Sequence, residues 1–257
     1  MQNFTKGQHE KLLKFAQSIG MGGLGYLEVK EELKYKGPID KFIPDDMKME
    51  LAEMAGLQEG DTIFFIAAPE KAACIYAGQI RNELGSRLDL LEKDAYRFCY
   101  INDFPMYEID EETGKLGFTH NPFSMPQGGL EALNEKDPLD ILAYQYDIVC
   151  NGVELSSGAV RNHDMEIMEK AFDIAGYDKE TLKDKFGALY NAFQFGAPPH
   201  AGMAPGVDRM IMLLRNEENI REIIAFPMSG TAQDLMCGAP NEITEQQLRE
   251  VHIKVRD

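Results

Sequence analysis

The chain lacks the features that mark a membrane protein, a disulfide-rich secreted protein or a zinc protein. No apolar run approaches the roughly twenty residues that cross a bilayer, and the first residues show no charged-then-apolar signal pattern. The cysteines are scattered and form no Cys-x-x-Cys pair, which disfavours structural zinc and a disulfide framework: Cys74, Cys99, Cys150 and Cys237. We therefore expect a soluble, cytoplasmic protein with reduced thiols and no membrane partner.

Basic residues are also scarce relative to acids. The sequence has 26 Lys and Arg against 43 Asp and Glu, a net charge of -17. Because Lys and Arg contacts to phosphates supply most non-specific nucleic-acid affinity, this charge argues against a broad basic face for nucleic acid. It leaves room for a local basic cluster. A length of 257 residues with 44% hydrophobic residues is enough for one large or two modest domains with a real core.

The apolar pattern predicts a small α/β arrangement in the first part of the chain. We expect a helix over 7–18, a strand over 25–30, a helix capped by Asp45 or Asp46, a buried strand over 62–67 and a helix over 69–84. After residue 93 we expect strands over 96–104 and 115–119, the second entered from a turn at 110–114, and helices over 165–175 and 179–193. The pattern contains no internal repeat.

A glycine-punctuated segment, 202–209, ends in Arg209 and runs into the apolar stretch 210–214. Glycine lacks the Cβ that blocks close approach of a ligand to the backbone. An arginine at a helix start can donate two hydrogen bonds to phosphate oxygens beside the positive end of the helix dipole. The segment is therefore a candidate site for a polyphosphate nucleotide. Taken alone, such a segment is more often an ordinary loop-to-helix junction with a surface arginine.

An apolar run at 148–150, followed by the turn signal Asn151-Gly152, predicts a strand, a tight turn and a second strand. If the turn is a hairpin, Asp147 and Glu154 lie near each other on paired strands. Two neighbouring carboxylates suit a Mg²⁺ ion that carries a nucleotide triphosphate. Each acid alone is more often a solvated strand end. The histidines other than His120 have no mutual spacing for a metal, so we expect them to be structural or surface residues.

Taken together, these residues resemble the C-terminal half of bacterial aspartyl-tRNA synthetases, which are class II enzymes. The resemblance is carried by the stretches 118–124, 147–161, 195–200, 202–209 and 232–236. The stretch 202–209 corresponds to the third class II motif. The general class form has glycine and glutamate where this chain has Ala204 and Asp208. The aspartyl branch of the class departs from the general form in the same way as this chain.

The resemblance implies an α+β fold in two domains. Residues 94–257 would form the C-terminal part of a class II synthetase-like catalytic domain, an antiparallel sheet with helices. Residues 1–93 would form a small α/β insertion domain, as in bacterial aspartyl-tRNA synthetases, a module also seen in tRNA-dependent amidotransferases. The family enzyme is a homodimer.

The resemblance also implies a reaction, in which ATP activates L-aspartate and the aspartyl group passes to tRNA. The ATP-binding residues would be Glu154, Gly206, Val207, Asp208 and Arg209. Asp147 would assist Glu154 in holding Mg²⁺. His120, in a loop that closes over the amino acid, and Arg161 would bind aspartate, Arg161 through two parallel hydrogen bonds to the side-chain carboxylate. No residue is assigned to acid–base catalysis.

The resemblance does not extend over the whole family enzyme. These 257 residues contain no anticodon-binding domain, no first motif and no credible second motif, so we predict that the chain alone is inactive in aminoacylation. The sequence leaves open whether the tRNA partner is that of aspartate only or also that of asparagine. An alternative is a non-catalytic tRNA-binding or assembly module related to amidotransferase accessory domains, which does not account for the residues after Phe118.

Overall fold

The computed structural model describes residues 5–256, without the side chain of Leu33. The chain forms two compact units, one ending at Asp94 and the other beginning at Ala95, next to the predicted boundary at residues 93 and 94. Both units combine helices with antiparallel sheets, which confirms the α+β fold class. Between residues 5 and 256, no helix combines the length and apolarity that a membrane crossing requires.

From residue 5 onward, the first unit contains three α-helices and one three-stranded antiparallel sheet. Its elements are α1 (Lys6–Ser18), β1 (Gly25–Val29), β2 (Tyr35–Lys36), α2 (Asp45–Ala55), β3 (Thr62–Phe65) and α3 (Glu70–Arg87). Strand β1 is central, between β2 and β3. Thr5 and Gln8 form a capping box that starts α1. Leu12 of α1 packs against Ile80 of α3, while Leu27 of β1 lies in a second apolar cluster.

Most predicted elements of the first unit are confirmed, but the expected cap of α2 is wrong. The residue before α2 is Pro44, which offers no side-chain cap. Asp45 and Asp46 instead lie in the first turn, where carboxylates interact favourably with the helix dipole. Strand β3 ends at Phe65, before the predicted end at residue 67.

The second unit is built on a four-stranded antiparallel sheet in the order β4-β7-β8-β9, with a separate two-stranded sheet, β5-β6. The strands are β4 (Phe98–Pro105), β5 (Tyr107–Ile109), β6 (Leu116–Phe118), β7 (Leu142–Cys150), β8 (Val153–Val160) and β9 (Ala201–Pro205). The helices are α4 (Gly129–Glu135), α5 (Met165–Ile174), α6 (Lys179–Phe193), α7 (Val207–Leu214) and α8 (Glu245–Glu250). The predicted strands and helices over 96–104, 115–119, 165–175 and 179–193 are confirmed within a few residues.

The turn between β7 and β8 is the predicted hairpin. Asn151 and Gly152 both have positive φ angles, 50° and 81°, as the favoured two-residue hairpin turn requires. The Asn151 side chain also accepts a hydrogen bond from the amide of Arg97 and donates one to the carbonyl of Ala95. The turn therefore ties the start of β4 to the hairpin.

Helices α5 and α6 pack on each other through an aromatic core. Met168 and Phe172 of α5 contact the buried side chains of Leu182 and Tyr190 on α6 in one apolar cluster. Asp178 caps α6 by accepting a hydrogen bond from the amide of Thr181, which holds the pKa of this carboxyl below its usual value. This core supports the C-terminal half of α6, which reaches the candidate site.

Candidate active site

The register of β7 and β8 decides where the predicted carboxylates lie. Asp147 faces Ser157 and Val149 faces Glu154, so the two acids are diagonal rather than directly opposite. A bulge between these pairs leaves Leu155 as an extra residue. Because directly paired residues share a face, and residues two apart on β7 do too, the bulge places Asp147 and Glu154 on one face of the sheet.

Arg161 follows the last residue of β8 and continues the same alternation. Ser157, Ala159 and Arg161 are two apart, so Arg161 lies at a position on the face that carries Asp147 and Glu154. Its backbone is fixed by an amide hydrogen bond to the carbonyl of His200, at 2.9 Å. It also forms a bridge with Ser124.

Between the acids and Arg161, this face carries only small side chains from β8 and β9. Ser157 pairs with Ala204, and Ala159 pairs with Gly202. Ser157, Gly202 and Ala204 are exposed, whereas Ala159 is buried. The exposed part of this floor is low, so a flat ligand can lie against the backbone there. The glycine-punctuated segment thus forms strand β9 and part of this floor.

Arg209 meets Glu154 across the end of the sheet. Arg209 lies in the first turn of α7, and its Nη1 donates to the Glu154 carbonyl at 2.8 Å and to Glu154 Oε1 at 3.0 Å. Within residues 5–256, nothing else bonds the remaining guanidinium nitrogens. Gly206, which precedes α7, provides no capping side chain, and Val207 and Asp208 are exposed beside it. The first amides of α7 and part of the Arg209 guanidinium are therefore open to a ligand.

Arg161 lines a pocket of about 450 Å³. The other lining residues are mostly apolar or aromatic: Phe123, Leu189, Phe193, His200, Ala201 and Gly202. Among the described residues, no side chain forms a hydrogen bond or an ion pair with the half-buried Arg161 guanidinium. A cation that is partly removed from water normally has an ionic or hydrogen-bonding partner, and this chain, with a net charge of -17, has an excess of acids to provide one. The pocket is therefore suited to an anionic guest.

His120 does not line this pocket. Its side chain is exposed and contacts Phe104 of β4 edge to face, with ring centroids 5.1 Å apart. The loop that it begins does reach the pocket, through Phe123. The Asn162 amide donates to the Phe123 carbonyl at 2.7 Å and holds this loop against the end of β8.

The structure adds residues to the site that the sequence did not predict. His200, expected to be a structural or surface histidine, lines the Arg161 pocket, and so do Leu189 and Phe193 of α6. His200 Nδ1 lies 2.8 Å from the Pro198 carbonyl, and its ring packs edge to face on Phe193. The inclusion of His200 in the stretch 195–200 was the signal that pointed to it.

On the opposite face, β7, β8 and β9 are held together at one tightly packed point. Gly158 faces Tyr146 on β7 and Met203 on β9. A Cβ at Gly158 would overlap both the Tyr146 ring and the Gly202 carbonyl oxygen. The Tyr146 hydroxyl donates to that carbonyl at 3.0 Å. This contact fixes β9 against β8 and so positions Gly202 at the Arg161 pocket.

Asp147 and Glu154 suit a magnesium ion that binds together with a nucleotide. They are too few to hold a metal ion by protein ligands alone. Within the described part of the chain, no cluster of three or more His, Cys, Asp or Glu side chains could hold a metal ion. Mg²⁺ is usually bound by one or two carboxylates together with substrate phosphates and water. Asp147 and Glu154, on one face, provide that number of carboxylates.

A family model and similar curated proteins indicate the same family for this chain. A family model for tRNA synthetases class II (D, K and N) matches residues 5–230. The chain is 56% identical over 247 residues to the aspartate–tRNA ligase of Streptomyces coelicolor, covering 96% of this chain and 42% of that protein. It is 51% identical over 253 residues to the aspartate–tRNA(Asp/Asn) ligase of Ehrlichia canis, covering 98% of this chain and 43% of that protein.

The chain therefore spans less than half the length of these curated relatives. Among solved structures, it is similar to the aspartyl tRNA synthetase from Entamoeba histolytica, with 22% identity and a TM-score of 0.41. That match covers 72% of this chain and 31% of the solved chain.

Proposed function

Because the chain belongs to the family of class II tRNA synthetases (D, K and N), we propose that its second unit is the aspartate- and ATP-binding part of an aspartate–tRNA ligase. In the longer assembled enzyme, ATP activates L-aspartate to aspartyl-adenylate, and the aspartyl group then passes to tRNA. The names of the relatives support this reaction. The alternative of a non-catalytic module is not favoured, because it does not account for an open cation in a pocket.

The proposal rests on the Arg161 guanidinium, which has no partner among the described residues. This group lines a mostly apolar pocket, and none of the described residues neutralises it. A planar guanidinium binds a carboxylate through two parallel hydrogen bonds, so the aspartate side chain is the matching guest. The Arg161 pocket therefore selects an acidic amino acid.

The same geometry rejects asparagine. An amide in place of the second carboxylate oxygen directs its own N–H groups toward guanidinium N–H groups. A buried charged donor left without an acceptor costs several kcal/mol, which is the scale on which a synthetase discriminates without editing. Arg161 is thus the specificity residue of the proposed site.

The ATP moiety would lie at the other end of the same sheet face. Gly206, Val207 and Asp208 would border the adenine, and Arg209 would reach the terminal phosphates with the guanidinium nitrogens that Glu154 does not occupy. Mg²⁺, which neutralises phosphate charge, would be held by Glu154 with assistance from Asp147. Catalysis of the first step is then positioning of the aspartate carboxylate against the α-phosphate with electrostatic stabilisation.

The proposal also includes His120, the first unit, the tRNA partner and the assembled enzyme. His120 would contact aspartate from the loop that reaches the pocket through Phe123. The first unit, up to Asp94, would be the insertion domain of the bacterial enzymes. The tRNA partner would be that of aspartate, alone or with that of asparagine, and the assembled enzyme would be a cytoplasmic homodimer.

Ligand-induced stabilisation of the chain tests this proposal. A non-hydrolysable aspartyl-adenylate analogue should raise the unfolding temperature, since a ligand at 100 times its Kd stabilises by about 2.7 kcal/mol. The asparaginyl analogue at the same concentration should have little effect, and ATP with Mg²⁺ an intermediate one. The isolated chain should show no ATP–pyrophosphate exchange. Equal stabilisation by both analogues would refute the role of Arg161, and exchange by the isolated chain would refute its incompleteness.

A further inference from the structure

The first unit has an apolar groove that is independent of the proposed active site. The groove has a volume of about 330 Å³. Helix α2 provides one wall with Met47, Leu51 and Met54, which are spaced i, i+4 and i+7 and so lie along one stripe of the helix. Phe42 and Phe65 line it from outside the helix.

The residues of this groove are exposed to an unusual degree for a core-like composition. Phe42 is 72% exposed, Met47 52% and Met54 80%. By contrast, Leu12 and Leu27, which centre the two apolar clusters of this unit, are fully buried. A contiguous apolar patch on an acid-rich protein marks an interaction site. Methionine is the residue type that adapts such a surface to the side chains of a partner.

A stripe of acids runs beside the apolar stripe on α2. Asp46, Glu50 and Glu53 are also spaced i, i+4 and i+7, one residue out of step with the apolar stripe, so the two stripes are parallel neighbours. None of the described residues forms an ion pair with these three acids. Lys48, on another side of α2, is already paired with Asp40 and Asp45.

A cation, Lys41, lies beside Phe42, which lines the groove. Lys41 sits over the Phe42 ring, with its Nζ 4.9 Å from the ring centroid. The surroundings of the groove are nevertheless net negative, because Glu50 lines it and Asp46 and Glu53 lie on the same stripe of α2, against the one lysine. A nucleic acid or another phosphate-rich partner is disfavoured by this charge. A partner with lysine or arginine next to apolar side chains is favoured.

We propose that this groove docks an amphipathic helix of a separate protein, with apolar side chains along one face and lysine or arginine beside them. The apolar residues of that helix fill the space between α2 and Phe42, as in other helix-in-groove complexes. Its basic residues pair with Asp46, Glu50 and Glu53. The inference does not depend on the chemistry of the Arg161 pocket.

A peptide titration with matched variants tests the proposal. The probe is a fluorescein-labelled helical peptide of about 18 residues, with leucine along one face and lysine elsewhere, and its analogue with glutamate in place of lysine. Fluorescence anisotropy should show that the lysine peptide binds the intact chain and the glutamate peptide does not. Met47→Asp should weaken binding roughly tenfold, which is about 1.4 kcal/mol.

Met49→Asp is the matched control, because Met49 is 56% exposed on α2 and does not line the groove. Both variants add the same negative charge, which by itself attracts the lysine peptide, so the difference between them reports the apolar contact. Met54→Asp, at a position that is 80% exposed and tolerant of change, should repeat the effect of Met47→Asp. Glu50→Gln with Glu53→Gln should weaken binding several-fold at low salt.

Three results would overturn the proposal. The first is equal binding by the Met47→Asp and Met49→Asp variants, which would leave only non-specific attraction to an acidic protein. The second is binding of the glutamate peptide as tight as that of the lysine peptide. The third is a concentration-dependent dimer in light scattering that Met47→Asp abolishes, which would make a second copy of the chain the occupant.

Discussion

Strands β8 and β4 belong to the same sheet of the second unit, but their surroundings differ. Strand β8 is hydrogen-bonded on both sides, to β7 and β9, and its Ser156 and Ala159 are almost completely buried. Among the described residues, β4 pairs with β7 alone. Its Phe98 and Tyr100 are 65% and 67% exposed.

The β8 side of the second unit is therefore already organised for its proposed function, and the β4 side is not. The β8 side carries Glu154 and Arg161, with packing around Gly158 that fixes the floor of the site before any ligand binds. The β4 side presents large apolar side chains and an edge whose backbone groups pair with no further strand within residues 5–256. Such an edge is prone to association with other strands. Substitutions on the two sides should therefore have very different consequences.

The largest effect is expected at Arg161. In an assembled enzyme that contains this chain, Arg161→Leu should abolish aspartate-dependent ATP–pyrophosphate exchange, a decrease of at least about a hundredfold in kcat/KM for aspartate. Arg161→Lys should retain a small part of the activity, because lysine keeps the charge but not the planar fork. Arg215→Leu, an exposed residue just after α7, serves as the control. Exchange retained by the leucine variant would remove Arg161 from the site.

The next effect is a loss of stability at Gly158. One added methyl group in Gly158→Ala overlaps the Tyr146 ring and the Gly202 carbonyl, and such overpacking costs about 1–3 kcal/mol. A urea titration of the chain measures it as a lower midpoint. Gly117→Ala, in strand β6 with no atom within 4 Å of the new Cβ, is the control. Equal midpoints for the two variants would show that the β8 side is not tightly packed.

A smaller loss is expected when one hydrogen bond is removed on the same side. Tyr146→Phe keeps the ring over Gly158 and deletes the hydroxyl that donates to the Gly202 carbonyl. The free energy of unfolding should fall by about 1 kcal/mol. If the hydroxyl positions β9, amide hydrogen exchange should quicken at residues 202–204 and stay unchanged in β4. Uniform exchange changes over both strands would argue against a local role.

Unfolding at low pH should depend weakly on the cap of α6, the helix that contributes to the Arg161 pocket. The Thr181 amide hydrogen bond lowers the pKa of Asp178 in the folded chain. This contribution is therefore complete above the unfolded pKa of about 3.9 and is lost as pH falls toward the folded pKa. Asp178→Asn keeps a capping oxygen, so acid unfolding should become less steep while stability at pH 7 hardly changes. Asp184→Asn, at an exposed position on the same helix, should not change how unfolding depends on pH at low pH.

The smallest effect is expected on the β4 side. Phe98→Ala removes a large side chain that the second unit does not cover, so the urea midpoint should correspond to a change within about 0.5 kcal/mol. Self-association at high concentration should decrease, because part of the exposed apolar surface is removed. A destabilisation as large as that of Gly158→Ala would mean that β4 is as well packed as β8, and the contrast would disappear.

Local features of the second unit were predictable from the sequence, because they depend on neighbouring residues. The turn at Asn151 and Gly152 needs two residues that tolerate positive φ, and the flanking apolar run marks β7. Helices α5 and α6 follow from regular apolar spacing after Asp164 and Asp178, which are both favoured capping residues.

Features that depend on pairing between distant parts of the chain were harder to predict from the sequence. Strand β9 has the sequence Ala-Gly-Met-Ala-Pro, which has little strand propensity and forms a strand because β8 pairs with it. The bulge at Leu155 cannot be inferred from local pattern, yet it sets the face on which Glu154 lies. The contact between Arg209 and Glu154 spans 55 positions. The family resemblance assigned both residues to ATP, but the contact between them was not predicted.

In the proposed site, Glu154, Arg161 and Arg209 serve one ligand on one face of the sheet. A crystal structure of the chain with the non-hydrolysable aspartyl-adenylate analogue tests it most directly. We predict that the aspartyl carboxylate lies on the Arg161 guanidinium in two parallel hydrogen bonds, with the adenosine end beside Gly206 and Arg209. An analogue bound elsewhere, or an Arg161 side chain turned away from the bound ligand, would rule out a shared site for these three residues.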